Sequence, residues 1–342
     1  MNSAAQVLHA RGQPAWSAHA ALACAMLATG VLALLAGAVD ISIKSLFHDA
    51  DAVLQRMILL EIRAPRVVLA ACTGAGLAVA GAALQGLFRN PLAEPSLIGV
   101  SSGAALGAIS VIVLGASLPI LQPLASYSLP IAAVAGACLV TLFLYGFSLR
   151  YGQFGIVTIL LVGIAVNALA AVGIGIFQYL ANDAALRTLT FWMMGSFGRA
   201  SWDTLIPAVS LMAVSMLPLF ALTRSLDLLQ LGESEAFHLG IDVRQVKRCV
   251  IICSAATVGA GVALAGIVGF VGLVVPHLIR LVLGAGHRYV IPASALLGAI
   301  LTMLADLLAR TLFAPAEIPV SLITSALGAP FFLWLIARAR PR

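Results

Sequence analysis

The sequence predicts an all-α membrane protein that crosses the lipid bilayer about ten times. Of its 342 residues, 62% are hydrophobic and only 9% are charged, whereas a soluble domain carries about 25% charged residues. The mean hydropathy of +1.08 leaves too little polar surface to coat a water-soluble globule. Soluble enzymes, disordered chains and fibrous proteins are therefore excluded.

The length of the apolar runs indicates helices rather than strands. A helix needs about 20 apolar residues to cross a hydrocarbon core of roughly 30 Å, whereas a strand needs about 10 alternating ones. Runs such as 18–39 and 129–149 are long and continuous, without period-two alternation. Helices also satisfy their backbone groups within one segment, as lipid requires. We read the first run as a retained span rather than a removable signal peptide.

Ten apolar segments follow one another along the chain. Between the seventh and the eighth, only glycines within Leu264–Gly272 offer a break, and such backbone is tolerated at membrane depth where protein surrounds it. Small residues recur through the second segment, which lets helix backbones approach closely. The predicted segments are 18–39, 66–86, 97–116, 129–149, 154–178, 204–223, 248–265, 269–283, 290–311 and 320–337.

The distribution of basic residues predicts that both termini lie in the cytoplasm. With the N-terminus inside, 12 of the 19 Lys and Arg residues fall on the cytoplasmic side and 7 on the other, and basic residues concentrate on the cytoplasmic side. We therefore divide the chain into an N-terminal cytoplasmic segment 1–17, one transmembrane domain 18–337 and a cytoplasmic tail 338–342. The polar inner connection 224–247 is either a solvated linker or a docking element.

The motifs of an internal energy source or catalytic centre are missing from the sequence. A phosphate-binding P-loop requires Gly-Lys before Ser or Thr, yet both lysines, Lys44 and Lys247, follow an aliphatic residue. The six histidines show no metal-binding spacing, and the five cysteines lie in or beside apolar runs, where a packing role is the simpler interpretation. We therefore expect no ATPase site, metal site or other cofactor in this chain.

Several ionisable residues lie near membrane depth, where each is a candidate functional group because its burial is costly. Asp306 and Arg310 are four residues apart and so share one helix face. Arg63 and Arg66 flank Pro65 just before the second segment. These residues are either structural pairs and interfacial anchors, or the arginines form an electropositive rim suited to an acidic partner.

The stretch Gly74–Gly107 resembles the signature of the FecCD family, the membrane permeases of ABC importers for iron-siderophores, cobalamin and haem. One departure is Ser321, where the family pattern has glycine. Within the family, the stretches around Phe88–Val100 and Pro330–Leu335 are most similar to haem permeases. The other matching stretches, in chain order, are Arg63–Arg66, Trp192–Ser196, Leu231–Gly240, Gly266–Arg280 and Pro315–Phe332.

The resemblance implies a multi-pass permease in a bacterial inner membrane, surrounded by lipid. It implies a homodimer with the pathway on the two-fold axis, two copies of a separate cytosolic ATPase that binds ATP and Mg, and a periplasmic binding protein. The implied cargo is haem or a related iron chelate, with cobalamin or a ferric siderophore as the alternative. No nucleic-acid partner and no enzymatic activity of the chain itself are expected.

The resemblance also implies roles for particular residues, with 231–242 as the coupling helices that the ATPase receives. Arg187 and Arg199 either meet the carboxylates of haem at the outer mouth or anchor the chain at the interface. The implied residues are, for binding-protein docking, Arg63, Arg66 and Arg310; for ATPase coupling, Leu231, Gly232, Glu233, Ala236, Leu239 and Gly240; for the cytoplasmic gate and pathway, Asn90, Pro91, Leu92, Gly155, Ile156, Val157, Asn167 and Gly175; and for the substrate mouth, Arg187 and Arg199.

Two other classes of membrane protein are weaker interpretations. An ion-coupled secondary transporter needs carboxylates at the centre of the membrane, and only Asp306 comes near. A membrane-embedded enzyme needs a cluster of polar residues, which the sequence does not suggest. Dependence of transport on ATP would separate these classes from an ABC importer.

The missing P-loop leads to a first prediction. The purified chain alone will not hydrolyse ATP, because it contains no Gly-Lys to cradle the phosphates. Adding its partner ATPase will create the activity, which a phosphate-release assay measures. Turnover by the isolated, ATPase-free chain would contradict the interpretation.

Overall fold

The computed structural model describes residues 15–37, 52–115, 125–151 and 155–338, and within these ranges it is helical without any strand. The predicted terminal segments therefore lie largely outside the described residues. The helices are α1 Ala15–Leu35, α2 Ala52–Met57, α3 Ala64–Phe88, α4 Val100–Leu114, α5 Ala125–Tyr151, α6 Ile156–Leu180, α7 Asp183–Met193, α8 Trp202–Ala221, α9 Thr223–Leu229, α10 Glu233–His238, α11 Val243–Ala265, α12 Val271–Leu283, α13 His287–Thr311 and α14 Val320–Arg338.

The prediction of an all-α fold with about ten apolar spans is confirmed. Seven of the described helical stretches are long and apolar enough to cross a membrane, and three shorter apolar helices, α4, α12 and α14, occupy the remaining predicted segments. The predicted glycine break is also present. Residues 266–270 separate α11 from α12, and Gly266 has a φ of +72°, which glycine adopts without steric cost.

The second span begins earlier than the sequence suggested. Residues 53–88 form one continuous helical stretch, whereas the second predicted segment starts at residue 66. A π-helical turn, Ile58–Arg63, directly precedes Pro65, which lacks an amide hydrogen and therefore disrupts regular α-helical bonding. Arg63 and Arg66 consequently lie inside a helix rather than just before one.

Helix α3 occupies the centre of the described structure. In the most apolar 18 residues of the stretch 53–88, 78% are buried. The corresponding share is 28% for α6, 17% for α5 and 6% for α1. Helix α3 packs against α8, α11, α12 and α13. The core of the protein is therefore built around α3, and α1, α5 and α6 lie at the periphery.

Glycines allow the close approach of α3 to its neighbours. A methyl group on Gly74 would overlap the Gly298 carbonyl oxygen and the Thr302 side chain of α13. The Thr302 hydroxyl in turn donates to the Ala70 carbonyl oxygen at 2.7 Å. Since lipid provides no hydrophobic drive between helices, such close van der Waals packing and interhelical hydrogen bonding stabilise the bundle.

This packing leads to a second prediction. Gly74→Ala will destabilise the protein by about 1–3 kcal/mol, the usual cost of overpacking a filled core. Thermal unfolding in detergent measures the change.

Gly146→Ala is the matched control, since a Cβ there meets no other atom within 4 Å. Because alanine favours a helix over glycine by up to about 1 kcal/mol, the control variant will be neutral or slightly stabilised. Equal stability of the two variants would contradict the packing account.

Candidate functional site

A buried cluster of charges lies where α3 and α13 meet, at the end of the bundle that the sequence places outside. Arg66 Nε donates to Asp306 Oδ1 at 2.9 Å, and its Nη1 donates to Glu317 Oε1 at 2.8 Å. Arg310 Nε lies 3.5 Å from Asp306 Oδ2. The predicted Asp306–Arg310 pairing is confirmed, and Asp306 is only 1% exposed.

Two of the arginines also bind the end of α1. Arg63 Nη1 donates to the carbonyl oxygens of Leu34 and Leu35 at 2.9 and 2.6 Å, and Arg310 Nη2 donates to the Ala33 carbonyl oxygen. The last carbonyl groups of a helix have no partner within the helix, and cations are favoured there. Arg63 and Arg310 therefore cap α1.

Of the two alternatives for these arginines, the structure supports structural pairing. Arg63, Arg66 and Arg310 are only 5%, 8% and 6% exposed, because Asp306, Glu317 and the α1 carbonyl groups bind them from within the chain. Their role in docking a binding protein stays a prediction.

The two predicted mouth arginines line one cleft. Arg187 and Arg199 are both exposed and border a cavity of about 390 Å³ that also contains Thr188, Ser196 and Glu317. The Arg187 guanidinium lies 5.9 Å from the centroid of the Phe191 ring. The cleft thus combines two cations, hydroxyl groups and an aromatic ring with one carboxylate, Glu317, which Arg66 already binds. Such a set suits a ligand with an apolar body and anionic groups.

The predicted gate begins where α3 ends. Arg89 has a φ of +50° and terminates the helix, and the Leu92 N–H donates to Asn90 Oδ1 at 2.9 Å. Asn90, Pro91 and Leu92 are exposed. Glu94 lies behind this turn and accepts a hydrogen bond from the Phe270 N–H at 3.3 Å. Burial raises the pKa of the Glu94 carboxyl, against the lowering effect of that hydrogen bond.

The second part of the predicted gate is the start of α6. Gly155 and Ile156 are half-buried and Val157 is exposed. Further along α6, Gly175 has open space around it. Asn167 bonds inward instead, since its Nδ2 donates to the Ser96 carbonyl oxygen at 3.1 Å and its Oδ1 accepts from Ser102 at 2.7 Å.

Asn167 therefore positions α6 against the turn Pro95–Ile98 and α4. Its position on the pathway, like the gate and pathway roles of the other residues on α6, stays a prediction.

The predicted coupling segment contains the short helix α10. Gly240 follows its end with a φ of +85°, a conformation that glycine adopts without steric cost. Leu231, Phe237 and Leu239 are 64%, 68% and 57% exposed, whereas Ala236 is fully buried. Gly232 precedes the helix with a φ of +125°.

A salt bridge of 2.6 Å between Lys247 Nζ and Glu233 Oε2 fixes α10 to α11. The segment is thus a helical turn with exposed apolar side chains, the form expected of a protein-docking surface. Among the described residues, no group of three His, Cys, Asp or Glu side chains could hold a metal ion.

Comparisons with known proteins agree with this architecture. The profile of the FecCD transport family matches residues 25–338. The chain belongs to the FecCD transport family. It is 48% identical over 304 residues to the hemin transport system permease protein HmuU of Yersinia pestis, covering 89% of this chain and 90% of the relative. It is 42% identical to the vitamin B12 import system permease protein BtuC of Vibrio parahaemolyticus, covering 84% and 85%.

A solved structure supports the same assignment. It is an ABC transporter of the metal-chelate type in an inward-facing conformation, with a TM-score of 0.82 and 32% sequence identity. The match covers 94% of this chain and 99% of the other. Membership of this family makes the chain a multi-pass membrane permease with no expected enzymatic activity of its own.

Sequence reasoning missed the partners that hold the site together. Glu317 stands 251 residues from Arg66, and the α1 carbonyl groups carry no side-chain signal at all. At the other end of α3 it also missed Asp227, which binds His287, and Gln230, which binds Gly86. The only available signal was polarity, since each of these side chains is a polar residue close to an apolar run.

The charge cluster leads to a third prediction. Asp306→Asn will destabilise the protein by about 3 kcal/mol, because it leaves buried arginine charge without its central partner. Chemical or thermal unfolding in detergent measures the loss.

Glu317→Gln is the control within the same cluster. Its side chain is 49% exposed, and exposed ion pairs contribute at most about 1 kcal/mol. A smaller loss of stability for Asp306→Asn than for Glu317→Gln would contradict the conclusion that the buried Asp306 is the central partner of the arginines.

Proposed function

We propose that this chain is the permease subunit of an ATP-driven importer that carries haem or a related iron chelate from a periplasmic binding protein into the cytoplasm. The observation that carries the proposal is the 48% identity with a hemin permease over 89% of the chain. The chain would lie in a bacterial inner membrane with both termini in the cytoplasm. ATP and Mg would bind the partner ATPase, and this chain would hold no cofactor.

Two copies of the chain would enclose the pathway between their α6 helices. Support comes from the broad exposed face of α6, where Leu161, Leu169, Val172 and Ile176 are 54–68% exposed. Gly175 interrupts this aliphatic surface with open space. Such a surface, without charged side chains to bind the cargo tightly, suits a conduit for a planar and largely apolar molecule.

The cleft around Arg187 and Arg199 would receive the cargo at the outer mouth. The carboxylates of haem would accept charge-assisted hydrogen bonds from one or both arginines, and Phe191 would pack beside the porphyrin. A cobalamin has no comparable pair of carboxylates, so this cleft favours haem. The 42% identity with a vitamin B12 permease nevertheless makes cobalamin the second candidate, with ferric siderophores beside it.

Two surfaces would meet the protein partners. The exposed apolar residues of α10 would enter the cytosolic ATPase, with the coupling segment 231–242 transmitting its movement. On the outer side, acidic residues of the binding protein would compete with the α1 carbonyl groups for Arg63 and Arg310. Docking at these arginines would therefore require α1 to shift, whereas Arg187 and Arg199 are free to meet the partner directly.

An ion-coupled mechanism has less support. Its best candidate carboxylate, Asp306, is bound by Arg66 and flanked by Arg310. Because two cations of the chain already lie against this buried carboxylate, it is not open to a sodium ion or a proton that must bind and leave. Asp306 is better explained as the centre of a structural cluster.

A fourth prediction tests the proposed function. Liposomes that contain the permease, its ATPase and its binding protein will take up haem only when ATP is supplied. Ferric siderophore and cobalamin are compared in the same vesicles. Uptake of cobalamin without uptake of haem would contradict the assignment of haem as the cargo. Uptake that is independent of ATP would contradict the assignment as an ATP-driven importer.

Variants of the cleft extend this experiment. Arg187→Ala will weaken the apparent affinity for haem about tenfold, the effect of one lost charge-assisted hydrogen bond. Arg150→Ala is the control, because Arg150 is an exposed arginine at the far end of α5 that stacks on Tyr151. Equal affinities for both variants would show that Arg187 only anchors the interface.

A further inference from the structure

The last turn of α3 is held by polar contacts that the function proposed above does not use. Gln230, just after α9, donates from Nε2 to the Gly86 carbonyl oxygen at 2.7 Å. His287, the first residue of α13, packs against the Cα atom of the same glycine, so that a methyl group on Gly86 would overlap its ring. Gly86 is thus the point where α9, α13 and α3 meet.

Asp227 fixes His287 in this position. The Asp227 Oδ1 atom accepts the backbone N–H of His287 at 2.9 Å and lies 2.6 Å from its ring Nδ1. His287 is only 2% exposed. One carboxylate oxygen of α9 therefore controls both the backbone and the ring of the residue that rests on α3.

The neighbouring residue of α3 is bound just as firmly to α12. Gln85 donates to the carbonyl oxygens of Gly272 and Leu273 at 3.3 Å. Arg280 donates to the Gln85 side chain and to the Ala82 carbonyl oxygen. The last turn of α3 is thus bound on several sides, and it continues directly into the Asn90–Leu92 turn.

A tight hydrogen-bonded turn joins α9 to α10. The backbone N–H groups of Gln230, Leu231 and Gly232 donate to the carbonyl oxygens of Asp227, Leu228 and Leu229 at 3.1–3.2 Å. This tight turn leaves no flexible linker between the two helices. Any displacement of α10 consequently carries Asp227 and Gln230 with it.

We propose that Asp227, Gln230 and His287 are positioning residues that transmit displacement of α10 to the end of α3, and from there to the Asn90–Leu92 turn. The inference rests on the proposed function, in which α10 meets the ATPase and the turn forms part of the cytoplasmic gate. Hydrogen bonds to a rigid helix end carry such coupling because they connect elements that move as units. Packing alone would stabilise the chain without linking the two movements.

The test compares matched variants in the complete complex. Gln230→Leu removes the donor at nearly constant volume, and Asp227→Ala removes the anchor of His287. Gln245→Leu is the control, because Gln245 is an exposed glutamine near the start of α11. Haem uptake and ATP hydrolysis are measured in the same liposomes, and thermal unfolding reports the amount of assembled complex.

The expected result is uncoupling. Gln230→Leu and Asp227→Ala will lower the haem imported per ATP hydrolysed about fivefold or more, the lower end of measured coupling between sites, while hydrolysis continues. Gln245→Leu will retain the wild-type ratio. A wild-type ratio in all three variants, or a proportional loss of both activities with the amount of folded complex, would overturn the proposal.

A second readout separates this proposal from the proposed function. Hydrogen exchange of residues 87–94 is measured in the complex with and without ATP, which does not depend on the cargo. In the wild-type complex, ATP will change the hydrogen exchange of this peptide, and in the Gln230→Leu complex it will not. An identical change in both complexes would overturn the proposal that Gln230 transmits the displacement. Failure of the wild-type complex to import any cargo would instead overturn the proposed function.

Discussion

The close packing of α3 determines which surfaces of this protein remain free. Gly81 lies against the Gly272 carbonyl group and Gly74 against Gly298, so that α12 and α13 approach α3 more closely than larger residues would allow. Because α3 fills the centre, α5 and α6 are left at the periphery with most of their surfaces uncovered. The peripheral helices therefore keep broad apolar surfaces that are free to meet lipid or a second copy of the chain.

Polar groups at both ends keep α3 in place. At its first turn, Arg66 binds Asp306 and Glu317, and burying these charges is tolerated only because each finds a partner. At its last turn, Gln85 and Gly86 contact α12, the residue that follows α9 and the start of α13. The helix is thereby held at both ends, between the charge cluster and the Asn90–Leu92 turn, which suits a part that transmits movement.

The sequence predicts those features that depend on neighbouring residues. The spans follow from the length of apolar runs, the break between α11 and α12 from its glycines, and the end of α10 from Gly240. Features that depend on contacts between distant residues could not be predicted from the sequence. The burial of Arg63 and Arg310 could not be predicted, because the α1 carbonyl groups that bind them have no sequence signature. Likewise, the hydrogen bond between Gln230 and Gly86 could not be predicted, because the two residues are 144 positions apart.

The central claim is that two copies of the chain meet along the exposed face of α6, with the pathway between them. Cysteine cross-linking in the assembled complex tests it most directly, after the five native cysteines have been replaced. A cysteine at Gly175 will link two copies into a covalent dimer, whereas a cysteine at Leu142, which is 65% exposed on α5, will not. Cross-linking through position 142 but not through position 175 would contradict the account.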